Sequence, residues 1–101
     1  MRLKKEDRVA IIRSSKKEFP SGRLLLYGSR VNDDLKGGDI DLVLILPNTE
    51  NIVEATKMIP GILAAIKIQI GEQKIDFSII SEQQSLSEPF WIHALKTSQE
   101  F

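Results

Sequence analysis

The chain has 101 residues, 42% hydrophobic and 28% charged, and its fourteen acidic and fourteen basic side chains cancel to a formal net charge of zero. That length supports a single domain over residues 1–101, with one core burying roughly 60–70% of the surface of the unfolded chain. Without a basic excess a dedicated nucleic-acid-binding domain is not favoured, and without cysteine there are neither disulfides nor thiolate zinc sites. No run approaches the roughly 18 apolar residues that cross a membrane. Charges continue from Arg2 through Arg8 with no apolar stretch behind them, unlike a signal peptide, so a soluble cytoplasmic protein is expected.

Residues 4–18 read as a helix. Val9, Ile12, Lys16 and Phe19 fall near one stripe, widened by Ala10 and Ile11, and charges cover the rest as a solvated face. Pro20-Ser21-Gly22 ends it in a turn. Residues 23–27 read as a buried strand, because Leu24, Leu25 and Leu26 run without polar alternation. Gly28-Ser29 breaks that strand. Ser29 can cap a short helix or turn over residues 30–35, and backbone N–H groups at such a start would point at an anion. Lys36-Gly37-Gly38 forms a loop before the second strand, residues 39–46, which Pro47 and Asn48 end.

Asn51 and Glu54 resemble a capping box opening a helix over residues 52–58, which Pro60-Gly61 breaks or kinks before it resumes through Ala64-Ala65. Ile66, Ile68 and Ile70 alternate with polar residues, and residues 74–80 alternate again after Gly71. The β-branched spacing of two favours a hairpin, and the competing reading extends the helix to Ile70 with Gly71 as its stop. Residues 81–85 read as a polar connection. Ser87, Glu88 and Pro89 open a last helix carrying Phe90, Trp91, Ala94 and Leu95 toward Ser98. The aromatics suit the core, and the one histidine, His93, suits a structural or exposed position.

The chemistry concentrates in three aspartates. On the second strand Ile40, Leu42, Leu44 and Leu46 share one face, while Asp39 and Asp41 share the other with Val43 and Ile45. Two like charges about 4 Å apart repel by roughly 4 kcal/mol at an effective dielectric near 20, so a bound cation or a raised pKa is expected. Asp76 lies inside another apolar strand, where a lone carboxylate is costly. Its bland reading is a residue facing water on an edge strand, paired with Lys67 across the hairpin. Three carboxylates brought together could bridge two magnesium ions, manganese being the alternative, for phosphoryl or nucleotidyl transfer. Glycine at Gly28 would let backbone approach a phosphate, and the Ser29 hydroxyl would add a donor. Asp33 and Asp34 read as solvated loop residues.

At these positions the sequence resembles the nucleotidyltransferase superfamily that includes DNA polymerase beta. Gly28-Ser29, then Asp39-Ile40-Asp41, then Asp76 within KIDFSII match that family's motif in order, over roughly residues 23–80. Arg30 keeps the Gly-Ser-Arg of the minimal prokaryotic members. Val31-Asn32-Asp33 and Gly38 depart from them, without removing a metal ligand. The resemblance implies an α/β (α+β) nucleotidyltransferase fold, a small mixed sheet flanked by helices. It also implies transfer of a nucleoside monophosphate, AMP from ATP, to an acceptor hydroxyl. Gly28, Ser29 and Arg30 would bind phosphates, Asp39 and Asp41 would ligate both metals, and Asp76 would ligate the catalytic metal and help deprotonate the acceptor. Minimal members are commonly antitoxins that adenylylate a tyrosine on a helical HEPN toxin, so the resemblance implies such a partner. Two alternatives remain open on the residues: a nucleotidyltransferase-like module that binds a partner without turnover, and an enzyme acting on nucleic-acid ends.

Overall fold

The computed structural model describes residues 3–28 and 40–101. Helix α1 (Lys5–Glu18) carries Glu6 and Asp7 in its first turn and Lys16 and Lys17 in its last, complementing the helix dipole at both ends. Its buried face is Ala10, Ile11, Ser14 and Ser15, while Val9 is 42% exposed. The predicted stripe was therefore centred to one side. The reason is the neighbour: α1 lies against α3 (Ile59–Ile70), and small residues at Ala10 and Ser14 let the two helices come close. Ser14 Oγ accepts a hydrogen bond of 3.3 Å from Gln69 Nε2 across that seam.

Strand β1 (Arg23–Tyr27) runs antiparallel to β2 (Ile40–Leu46), which runs parallel to β3 (Ile75–Ser81); a two-residue strand β4 (Gln99–Glu100) closes the other side of β1. The order is β3-β2-β1-β4, a mixed sheet. Between β2 and β3 come α2 (Ile52–Thr56) and α3. Asn51 caps α2, its Oδ1 accepting from the Glu54 N–H at 3.1 Å. Pro60 does not interrupt a helix but sits in the first turn of a new one, where its missing N–H costs nothing.

The hairpin expected at residues 66–80 is not formed. Residues 66–70 finish α3, and Gly71, at φ 85°, stops it with its N–H on the Lys67 carbonyl. Two physical reasons decide this. A parallel β2–β3 pair needs a crossover of about a dozen residues or more, which α2 and α3 supply. Ile59, Ile62, Leu63, Ile66 and Ile70 also fall on one helical face against the core, and the helix leaves only Ile68 outside, 86% exposed. Lys67 is thus on a helix, with no hairpin pairing to Asp76.

The sheet has two unlike faces. Ile40, Leu42, Leu44 and Leu46, each at most 1% exposed, pack with Leu24 and Leu26 under Ile11, Ile62 and Ile66. Leu25, Tyr27, Val43, Ile45 and Ile80 form the other cluster, covered by Trp91 with Ala94 and Leu95. That cover comes from the C-terminal segment. The predicted polar connection after β3 is a helix, α4 (Glu82–Ser87), opened by a full capping box between Ser81 and Gln84. Helix α5 (Pro89–Ala94) and a 3₁₀ turn at Leu95–Thr97 then lead into β4. Among the described residues no helix is long and apolar enough to cross a membrane.

Candidate active site

Of the three predicted carboxylates, the structure brings Asp41 and Asp76 together. They are register partners on the adjacent parallel strands β2 and β3, so their side chains leave the same face about 4.8 Å apart along the sheet. Asp41 is half-buried and Asp76 exposed. On the other side of Asp41, across the antiparallel pair, stands Tyr27. Tyr27, Asp41 and Asp76 therefore form one row across three strands. Asp39, Ser29 and Arg30 lie outside the described residues, as does the loop predicted between them.

Gly28 follows Tyr27 directly and adopts φ +76°, the left-handed region that glycine enters without strain. A Cβ built there would fall under 3.0 Å from Asp41 Oδ2 and 3.2 Å from its Cγ. The missing side chain is thus occupied by the Asp41 carboxylate, which rests against the turn. The glycine is required twice over, by conformation and by space. Backbone and carboxylate converge here at Gly28 and Asp41.

The donors suit a hard divalent cation. They are carboxylate oxygens from adjacent strands, Asp76 exposed and Asp41 half-buried, beside Gly28. Among the described residues no group of three His, Cys, Asp or Glu converges. The described part of the predicted set is a pair, Asp41 and Asp76. His93 is exposed on α5, and Trp91 is buried against Tyr27, as expected of both.

Sequence reasoning missed Tyr27 and Ser78. Burial raises the Tyr27 phenol above its ordinary value, helped by the negative charge of Asp76 and, less, of Asp41, while the Ser78 hydroxyl opposes the shift. Both residues were legible in principle: Ser78 shares the Asp76 face by simple alternation, and Tyr27 is the last strand residue before Gly28. What the sequence lacks is the register that sets them beside the carboxylates.

A groove of about 360 Å³ opens between α1 and α3, lined by Arg13, Lys17, Met58 and Gln69 among others. It lies over the aliphatic face of the sheet, away from the carboxylate row.

The family model described as a nucleotidyltransferase domain matches residues 9–93. No curated protein sequence matches the chain. Among solved structures, a protein from Sulfolobus solfataricus provisionally assigned as a nucleotidyltransferase aligns with TM-score 0.55 and 17% identity over 100% of this chain and 90% of its own. A second protein with the same provisional assignment aligns with TM-score 0.58 and 21% identity over 93% of this chain and 96% of its own. At these identities the likeness is one of fold, the mixed sheet with its flanking helices.

Proposed function

Because the chain belongs to the nucleotidyltransferase domain family, we propose that it is a magnesium-dependent enzyme that moves AMP from ATP to an acceptor hydroxyl, in the cytoplasm. The observation that carries this reading is the direct register of Asp41 with Asp76 beside the left-handed Gly28 turn. Asp41 and Asp76, with Asp39, would hold the ions, manganese substituting for magnesium. Bound there, the ions would neutralise charge on the phosphates and on the leaving pyrophosphate.

The chain's own residues do the rest. Gly28 admits the phosphates close to backbone, and Ser29 and Arg30 add donors to them. Asp76 is the more exposed carboxylate and so the one an incoming acceptor meets. It takes the hydroxyl proton as that oxygen bonds to the α-phosphorus. The bond from that phosphorus to the β-phosphate bridging oxygen breaks, and pyrophosphate leaves with the electron pair. The carboxylate row sits at a surface, which suits an acceptor carried by another protein. A tyrosine on a helical HEPN-type toxin fits that requirement, with this chain as the antitoxin.

The test is incubation with α-labelled ATP, magnesium and the product of the neighbouring gene. Label should pass to the partner with wild-type protein and not with Asp76→Asn. Absence of transfer, or transfer undiminished in the variant, overturns the enzymatic reading. Calorimetry separates the binding-module alternative, since a catalyst binds ATP in a magnesium-dependent way and a pure binder takes only its partner.

A further inference from the structure

The groove between α1 and α3 does not end at those two helices. Its hollow of about 360 Å³ meets a second of about 340 Å³ at Glu18 and Met58, which line both. The second hollow continues past Phe19 to Ala55 on α2. Ser14 and Gln69 are hydrogen-bonded across the seam at one end. From there the trough follows α3 back to Met58, about 16 Å at the helical rise per residue, and runs on to α2. Its floor is apolar, with Ile62 buried and Met58 exposed. Its charge is graded. Arg13 and Lys17 line the first hollow, Glu50 and Glu54 the second, and Glu18 stands where they meet. Among the described residues Arg13, Lys17, Glu18 and Glu50 form no ion pair, and Glu54 meets only the exposed Lys57, at 3.1 Å.

Gly61 lines the floor in the first turn of α3. A Cβ there would meet nothing within 4 Å, and alanine is the better helix former. Nothing inside the described structure requires glycine at this position. What its bare backbone does is leave room for a second chain to come close. We propose that this trough binds an amphipathic helix of a partner protein, with an apolar stripe on Met58, Gly61, Ile62 and Ala65, an acidic end at Arg13 and Lys17, and a basic end at Glu18 and Glu50. Shape and charge together select that occupant. Helices favour acids in their first turn and bases in their last, so the partner helix lies with its N-terminus toward Arg13. Arg13 and Lys17 stand one turn apart on α1, a spacing that two carboxylates on a facing helix reproduce. The exposed thioether of Met58 adapts to an apolar partner. A second copy of this chain fits less well, because one trough laid on another leaves both hollows unfilled. The trough lies under the apolar face of the sheet, so this surface is separate from the carboxylate row and independent of the reaction proposed above.

The probe is an acetylated, amidated, alanine-based peptide of about fifteen residues, long enough to be helical. Leucines at helical spacing form its stripe, glutamates fill its first turn and lysines its last. Two control peptides carry lysine alone or glutamate alone at both ends. Fluorescence anisotropy with the full chain should show saturable binding of the probe, weakened about tenfold in either control and by less at high salt. Gly61→Leu fills the floor on a helix that leucine favours, so the melting temperature should not fall while probe binding drops about tenfold or more. A nitroxide on the acidic end of the peptide should broaden the backbone resonance of Gln69 and spare that of Asn51. Absence of saturable binding, equal binding of a control peptide, undiminished binding to Gly61→Leu, or broadening of Asn51 in place of Gln69 overturns the proposal. So does a wild-type dimer in sedimentation that Gly61→Leu dissociates, since the occupant is then a second copy.

Discussion

The two faces of the sheet are made by the same three strands and have opposite characters. One is apolar throughout, with Leu42 and Leu44 wholly buried under α1 and α3. The other holds Tyr27, Asp41 and Asp76 at one end, Val43 and Ser78 in the middle, and Ile45 and Ile80 at the other end, under the short helix α5. Strand alternation lets β2 serve both, placing Ile40 and Leu42 inward on either side of an outward Asp41. The lesson is a division by parity: even-numbered positions of β2 face the core under α1 and α3, while the odd-numbered face gives Asp41 to the carboxylate pair and Val43 and Ile45 to the smaller cluster under α5. Moving a residue by one would exchange the two.

The sharpest way to break this comparison is to delete one side chain from each face. Leu44→Ala should lower stability by about 2–5 kcal/mol, measured by urea unfolding, because the cavity lies where nothing can collapse into it. Asp41→Asn should change the same unfolding curve by under about 1 kcal/mol, since it removes one of two adjacent like charges, while abolishing nucleotide transfer. Equal destabilisation by both would show that the parity division is wrong. Gly28→Ala sharpens the case from the site side. The left-handed backbone and the collision with Asp41 should together cost about 1–3 kcal/mol and displace the carboxylate, so stability and transfer should fall together.

A smaller effect lies in Tyr27. Its folded pKa stands above the ordinary 10.0, so its contribution to stability is complete below pH 10 and is lost as pH rises through the folded value. The single phenol should ionise late in an ultraviolet titration, and Tyr27→Phe should flatten the alkaline fall in stability. The smallest effect is at the far edge of the sheet. Arg23 Nη2 donates to Glu100 Oε1 at 2.8 Å, tying β4 to β1 at an exposed position. That hydrogen bond holds the Glu100 carboxyl below its ordinary value, so its contribution is present above about pH 4.5 and lost as pH falls through the folded value. Glu100→Gln should cost less than about 1 kcal/mol, and the difference from wild type should vanish in acid.

Much of this was legible in the chain. The faces of β2, the turn at Gly28 and the outward Asp41 follow from alternation and from one glycine before an Asp-x-Asp. The misreading of residues 66–70 shows where pattern fails. Isoleucines at 66, 68 and 70 fit period two, while Ile66 and Ile70 with Ile59, Ile62 and Leu63 fit period 3.6 and leave Ile68 outside. Local sequence did not choose between them; the need to cross from β2 to a parallel β3 did. The stripe on α1 was misplaced for a related reason, since Ser14 and Ser15 are buried by the helix that lies on them rather than by their own polarity.

By itself, then, the sequence determined strands β1, β2 and β3 and their inward and outward faces, and it offered the residue types proposed for the site, because those depend on side-chain alternation and on the conformational freedom of Gly28. Only the tertiary structure decided which of those residues stand side by side. The register of β1 with β2 and of β2 with β3 aligns Tyr27, Asp41 and Asp76 in one row. Register is a long-range property, set by how α1, α3 and α5 pack against both faces at once, and no stretch of the chain carries it alone.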